Sequence, residues 1–218
     1  ISAGLGASAA LAVALMRAFS AFLGHPLDSE RLNALAFESE TLIHGRPSGI
    51  DNTVVVYEQP ILFSKASGFE VIRSTDNFHL LVADSGVKKA TALTVSQLAQ
   101  DYSENPENIG AIIREIGSLT QAGVRALRMG DQPALGNALN RNQELLTLLN
   151  LSCPVLDRLI SAARQAGALG AKLTGGGKGG HMLALTAPDQ LERVRNALLK
   201  AGARSVYHTV LKQEAANA

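Results

Sequence analysis

Cysteine is nearly absent from this chain. Cys153 stands alone, so no internal disulfide can form, and the composition suits a reducing cytoplasm. An excess of either charge is also missing. Against 20 Lys and Arg stand 19 Asp and Glu, and the formal net charge of +1 offers no general field for nucleic acid or an acidic membrane surface. Aromatic residues are few and tryptophan is missing. No apolar run is long enough to span a bilayer. The stretch from Ala9 is too short, carries Arg17 and lacks the basic flank of a signal peptide. Internal repeats and low-complexity segments are absent. His44, His79 and His181 lack metal-ligand spacing and read as loop or strand histidines. Cys153, beside Pro154, reads as a small buried residue rather than a nucleophile. What remains is a globular chain of 218 residues, able to bury a core as one large domain or two small ones.

What is present begins with glycine. Gly4-Leu5-Gly6-Ala7-Ser8-Ala9-Ala10 stands directly before the apolar run Leu11 to Leu23. Leu11, Leu15, Ala18, Phe19 and Phe22 fall at helical spacing with only Arg17 charged, which predicts a largely buried helix. A glycine-rich turn feeding a helix N-terminus leaves N–H groups unpaired, and the helix dipole favours an anion there. Ser8 can cap that helix or reach a phosphate-bound Mg²⁺. A plain glycine turn with a serine cap explains the same residues, because short glycine motifs are weak signals. The stretch is neither a Walker A loop nor a Rossmann fingerprint.

A second helix is expected from Asp28 or Ser29, with Leu32, Leu35, Ala36, Ser39 and Ile43 on one face. Glu40 lies at the edge of that stripe, as a paired structural charge or as a ligand. The loop His44-Gly45-Arg46-Pro47-Ser48-Gly49-Ile50-Asp51-Asn52 follows, and the β-branched run Thr53 to Tyr57 predicts a strand. Ile61–Phe63 and Phe69–Ile72 predict two more. From Asn77 onward the order reads β, several α, β, β, α, β: strand His79–Ala83, a turn with Lys88 and Lys89, and helices opened by Pro106, by Asp131 or Pro133, and by Pro154. Strands Ala171–Thr174, His181–Ala187 and Ser205–Leu211 follow, with a helix from Pro188 to Lys200 before the last. That order predicts an antiparallel sheet backed by helices, an α+β layer of the ferredoxin-like kind.

Between the strands Ala171–Thr174 and His181–Ala187 lies Gly175-Gly176-Gly177-Lys178-Gly179-Gly180. Two glycine-rich loops and one Pro-Ser-Gly-x-Asp loop together describe a phosphoryl-transfer site. Its parts are a polyphosphate cradle, oxygen ligands for Mg²⁺ at Ser8 and Glu40, a carboxylate at Asp51 for an attacking hydroxyl, and backbone donors at 175–180.

This combination resembles the GHMP kinase superfamily of small-molecule kinases. That family is marked by a P-x-x-x-G-L-G-S-S-A-A loop and a late K-x-[ST]-G-A-G-x-G-G loop. They correspond here to Gly4-Leu5-Gly6-Ala7-Ser8-Ala9-Ala10 and to Lys172-Leu173-Thr174 followed by the glycine loop. The stretch from Glu40 through His44-Gly45-x-Pro47-Ser48-Gly49-Ile50-Asp51-Asn52 is similar to the mevalonate kinase branch in particular. The resemblance implies a two-domain α+β GHMP kinase fold, with a partial N-terminal domain at 1–75 and a ferredoxin-like C-terminal domain at 76–218. It implies ATP and Mg²⁺ as cofactors, mevalonate as small-molecule substrate, and phosphorylation of its 5-hydroxyl in isoprenoid synthesis in the cytoplasm.

By the same resemblance, Gly4, Leu5, Gly6, Ala7, Ser8 and Ala9 with Gly175, Gly176, Gly177 and Gly179 hold the nucleotide. Ser8 and Glu40 hold the metal, Asp51 is the catalytic aspartate, and Ser48, Gly49 and Thr91 meet the substrate. Ala7 replaces the family's first serine, Gly176 its alanine, and Lys178 a small or apolar residue that leaves its contact open. The chain opens on Ile1, and the family's lysine-bearing G-K-V-[IL]-x-x-G-E-H segment is not in it. A piece of something longer is therefore the expectation, prone to dimerise or aggregate through an uncovered apolar helix and with negligible activity alone. Other GHMP kinases, such as a phosphomevalonate kinase, remain open as alternatives, as does a non-catalytic fragment that binds only nucleotide or a partner chain.

Overall fold

The computed structural model describes residues 5–45, 47–87 and 91–213, with the side chains of 91–93 left aside. The chain divides into two compact units, Ile1–Ile72 and Arg73–Ala218.

The first unit carries three helices and a hairpin: α1 (Ala7–Phe22), α2 (Ser29–His44), α3 (Ile50–Tyr57), β1 (Ile61–Ser64) and β2 (Gly68–Val71). Asp28 starts α2 by accepting the Arg31 N–H at 2.7 Å. The three helices meet through Val13, Leu32, Ala36 and Val56. Arg17 ties α1 to the end of α3, donating to the Val56 carbonyl at 2.9 Å and to Glu58 at 2.7 Å. The β1–β2 pair is antiparallel, from Ile61↔Val71 to Ser64↔Gly68.

Two expectations fail in this unit. The predicted strand Thr53–Tyr57 is part of α3. Gly49, at φ +90°, turns the chain into the helix, and the Thr53 hydroxyl bonds back to its carbonyl at 2.7 Å. Asn52 and Thr53 are then stitched to Asn33 of α2, and Val56 enters the three-helix core, so packing overrides the β-branched preference. The second failure is α1, which is not largely buried. Only Ala9 and Val13 are, whereas Leu11, Leu15, Phe19 and Phe22 are exposed. The helix approaches α2 and α3 through its smaller side chains and turns the predicted stripe outward.

The second unit runs β3 (Phe78–Asp84), α4 (Thr91–Glu104), α5 (Pro106–Met129), α6 (Gln132–Leu148), α7 (Pro154–Gln165), β4 (Gly170–Thr174), β5 (His181–Thr186), α8 (Leu191–Lys200) and β6 (Ser205–Leu211), with a short 3₁₀ turn, Pro188–Gln190, ahead of α8. Pro106 and Pro154 occupy first helical positions, where the missing N–H costs nothing. Asp131 caps α6 through the Ala134 N–H at 2.9 Å. The four strands pair antiparallel in the order β4-β5-β3-β6, the arrangement of a ferredoxin-like layer. One sheet face, with Leu81, Ala83, Met182 and Ala184, packs on α7 and α8. Phe78, Leu80 and Leu185 on the other face meet Ala126 of α5 and Leu135 of α6.

Helix α6 lies directly against the outer edge of β4. A Cβ on Gly136 would fall 2.5 Å from the Leu169 carbonyl oxygen, and one on Gly170 2.3 Å from that of Gly136, so only glycines permit the approach. Asn140 accepts the Ala171 N–H at 3.1 Å and donates to the Leu169 carbonyl at 3.1 Å. Gln143, buried, accepts the Leu173 N–H at 2.8 Å. The strand that leads into the glycine loop is thereby fixed on both sides. No helix among the described residues is long and apolar enough to cross a membrane.

Candidate functional site

In the first unit the predicted residues converge around the start of α1. Gly4 lies outside the described residues; Leu5 is half-exposed, and Gly6, at φ +66°, is the N-cap. Ser8 is therefore not the cap. It sits inside the first turn, where its hydroxyl is free for other partners, while Ala7, Ser8 and Ala9 carry first-turn N–H groups that have no helical acceptor. A Cβ on Gly6 would lie 3.4 Å from Cβ of Asp51 and 3.7 Å from its Oδ1, so the mouth of the first loop and the aspartate are neighbours.

Asp51 lies in the first turn of α3 and remains exposed. Partial burial of the carboxyl, and then the negative charge of Glu40, push its pKa above the ordinary 3.8, with His44 opposing. Ser48 turns the chain into α3 by accepting the Ile50 N–H at 3.3 Å. Gly49 is buried, and a Cβ there would meet the Phe63 ring at 3.2 Å.

Glu40 is not at the border of a buried face but inside it, 3% exposed, and its Oε1 has no hydrogen-bond partner. Its Oε2 lies 3.6 Å from Nε2 of His44, and the same nitrogen lies 3.3 Å from the Ser8 hydroxyl. A buried orphan carboxylate oxygen is costly unless a ligand or cation completes it. With the Ser8 hydroxyl at the same imidazole, the donor set of hydroxyl and carboxylate fits a hard divalent cation. His44 is the residue that the sequence reading missed. Read as a loop or strand histidine in the sequence, it instead closes α2 four residues after Glu40. The signal was the Glu-x-x-x-His spacing, which places both side chains on one helix face.

In the second unit, residues 175–180 form the turn between β4 and β5. Gly175, Gly177, Lys178, Gly179 and Gly180 all have positive φ. A Cβ on Gly177 would sit 2.2 Å from the Leu151 carbonyl oxygen, and one on Gly179 2.6 Å from that of Val87. The N–H groups of Lys178 and Gly180 donate to those two carbonyls, at 2.7 and 2.8 Å. Those of Gly176 and Gly179 have no partner among the described residues. The Lys178 ammonium, whose contact the sequence left open, donates to the Asn150 side chain. Burial holds the Lys172 ammonium at a pKa of about 8, and it donates to the Leu173 carbonyl at 2.7 Å.

His181, directly after the loop, is buried with both ring nitrogens unpartnered among the described residues. Asp84 accepts the Gly86 N–H at 2.8 Å and is the turn residue expected. Thr91 opens α4, but its side chain, like Lys88 and Lys89, lies outside the described residues. Cys153, expected to be buried, is only half-buried at the N-cap of α7.

The profile described as GHMP kinases N terminal domain matches residues 1–59, and that described as GHMP kinases C terminal matches 124–204. The mevalonate kinase of Aeropyrum pernix is 33% identical over 214 residues, which cover 98% of this chain and 66% of the relative. That of Pyrococcus furiosus is 36% identical over 207 residues, covering 93% of this chain and 61% of its own. A crystal structure of L. major mevalonate kinase in complex with R-mevalonate superposes with a TM-score of 0.91 at 32% identity, over 97% of this chain and 67% of that one. A Streptococcus pneumoniae phosphomevalonate kinase, 18% identical with a TM-score of 0.76 over 91% of this chain and 68% of its own, shares the fold. The chain thus spans 61 to 66% of the length of the first-named relatives.

Proposed function

We propose, for a chain that belongs to the GHMP kinase family, that its activity is transfer of the γ-phosphoryl group of ATP to the 5-hydroxyl of mevalonate. The observation that carries the reading is the Asp51 carboxylate. It stands beside Gly6 at the mouth of a helix-N-terminal loop, exposed to an incoming substrate, with a raised pKa. A stronger base at that place suits removal of a hydroxyl proton.

In this reading the backbone of Leu5, Gly6, Ala7, Ser8 and Ala9 holds the nucleotide phosphates, and the turn at 175–180 offers N–H groups to anionic oxygens. Ser8 and Glu40 would hold Mg²⁺, which when bound offsets the negative charge of the phosphates. Ser48 and Gly49, just before Asp51 in the chain, contact the alcohol. Asp51 Oδ takes the proton of the 5-hydroxyl as that oxygen forms its bond to the γ-phosphorus and the bond to the β-bridging oxygen breaks. ADP and 5-phosphomevalonate are the products. Relatives that are mevalonate kinases, at 33 to 36% identity, support this substrate over others of the fold.

The test is an ADP-release assay on the protein with mevalonate, phosphomevalonate, galactose and homoserine as acceptors. Mevalonate is expected to give the largest kcat/KM. Asp51→Asn should lower kcat by about 10²-fold or more while changing nucleotide affinity only a few fold, as loss of a general base does. Turnover retained in Asp51→Asn, or preference for another acceptor, would overturn the reading.

A further inference from the structure

The assignment of Ser8 and Glu40 to a cation leaves out the imidazole that touches both. His44 Nε2 is 3.3 Å from Ser8 Oγ and 3.6 Å from Glu40 Oε2. Ligands roughly 2.1 Å from one ion stand about 3.0 Å apart in an octahedral array and about 3.4 Å apart in a tetrahedral one. The nitrogen is thus at ligand spacing from the hydroxyl and only slightly beyond it from the carboxylate. We propose that His44 is a third ligand to the same cation, so that Ser8, Glu40 and His44 form a mixed nitrogen–oxygen site that favours Mn²⁺ or Co²⁺ over Mg²⁺. The inference rests on the reading of Ser8 and Glu40 as cation ligands.

Three features favour a ligand over a structural ion pair. Glu40 is buried, yet the contact with His44 leaves its Oε1 unpartnered, whereas a resident ion pair would be expected to satisfy both oxygens. The ring lies across from two oxygen donors of different elements, the hydroxyl of α1 and the carboxylate of α2, rather than from one. The carboxylate of Asp51 lies within electrostatic reach of both Glu40 and His44, so a second negative charge stands near the one imidazole. Mg²⁺ takes oxygen ligands and keeps its waters, whereas imidazole suits later divalent metals. A nitrogen among these ligands therefore sets the choice of ion.

The experiment uses Mn²⁺ with a non-hydrolysable ATP analogue bound to the protein, its histidines labelled with ¹⁵N. Pulsed electron–nuclear resonance should show an imidazole ¹⁵N coupling to Mn²⁺. That coupling should vanish in His44→Gln and persist in His79→Gln, a control in the second unit where the half-buried His79 ring lies 3.1 Å (Nδ1 to Nε2) from His208. Competition of Mg²⁺ against Mn²⁺ should show the preference for Mn²⁺ falling at least about 10-fold in His44→Gln, the lower end of what loss of a ligand's support costs a metal site.

Bound Mn²⁺ with no histidine coupling in the unsubstituted protein overturns the proposal, and that measurement needs no variant to fold. Glu40→Gln separates the two readings. If it weakens Mn²⁺ binding while no nitrogen is coupled, only the role of His44 falls. If it leaves Mn²⁺ binding unchanged, the cation site falls with it.

Discussion

Lys172 offers a test in which solvation can be measured directly. It sits on β4 two residues before the glycine loop, and burial lowers its pKa from 10.5 to about 8. Each pKa unit is worth about 1.4 kcal/mol, so the penalty for carrying the charge has a ceiling of about 3 kcal/mol. The side chain keeps some exposure and a 2.7 Å bond to the Leu173 carbonyl, which reduces the expected figure to about 1–2 kcal/mol. The sign follows from proton counts. Below pH 8 both folded and unfolded chains hold the proton, and the penalty is present in full. Between about 8 and 10.5 the unfolded chain binds more protons than the folded one, so stability rises with pH across that window. In Lys172→Met the rise is absent. Urea unfolding of both proteins at intervals from about pH 7 to 11 gives the difference curve. The variant should be the more stable at pH 7, and the gap should close by about 1–2 kcal/mol as the pH passes through the window. A gap that stays constant across the range would refute the burial argument.

The carboxylate Asp51 should behave in the opposite sense: its folded pKa is raised, so its favourable contribution exists at low pH and is lost as the pH climbs above 3.8. Asp51→Asn should then unfold at a higher urea concentration than the parent at pH 7 while losing turnover, and a less stable, inactive variant would point to a structural role. Gly177→Ala forces a Cβ to 2.2 Å from the Leu151 carbonyl oxygen at φ +78°, at a cost of roughly 2 kcal/mol or more. Nucleotide binding by calorimetry should be lost with the circular dichroism of the sheet kept. Gln143→Leu removes the acceptor of a buried backbone N–H and should cost about 1–3 kcal/mol in thermal or urea unfolding, whereas a neutral result would mean that water or a rearranged side chain replaces it.

Most of the second unit was legible because its signals are local. Pro106 and Pro154 mark helix starts, Asp131 caps, and the apolar strands stand apart from the helices in sequence. The first unit was harder because its signals conflict. Thr53, Val54, Val55 and Val56 favour a strand one by one, yet Gly49 and the bonds to Asn33 make them a helix. The apolar stripe of α1 gave the helix but not the side that packs, since Ala9 and Val13, not the leucines and phenylalanines, meet α2 and α3. Ser8 and Asp51 stand out as candidates by their loops and Glu40 by its place beside a helix stripe. His44 does not, because its meaning depends on α2 continuing to residue 44 and bringing it back to Ser8.

The amides of α6 have a further consequence. Asn140 and Gln143 supply to β4 the hydrogen bonds that a fifth strand would have given, so a helix ends the sheet on that side. No extended segment can add itself there without first displacing both side chains, whereas β6, at the other border, pairs with β3 alone among the described strands. The two amides also act as a ratchet on alignment. A slide of β4 by two residues would strand Gln143 in the interior and carry the glycine turn out of line by about 7 Å. The position of the glycine turn is thus measured off a helix, and a mispaired β4 would leave one buried and one half-buried amide without partners.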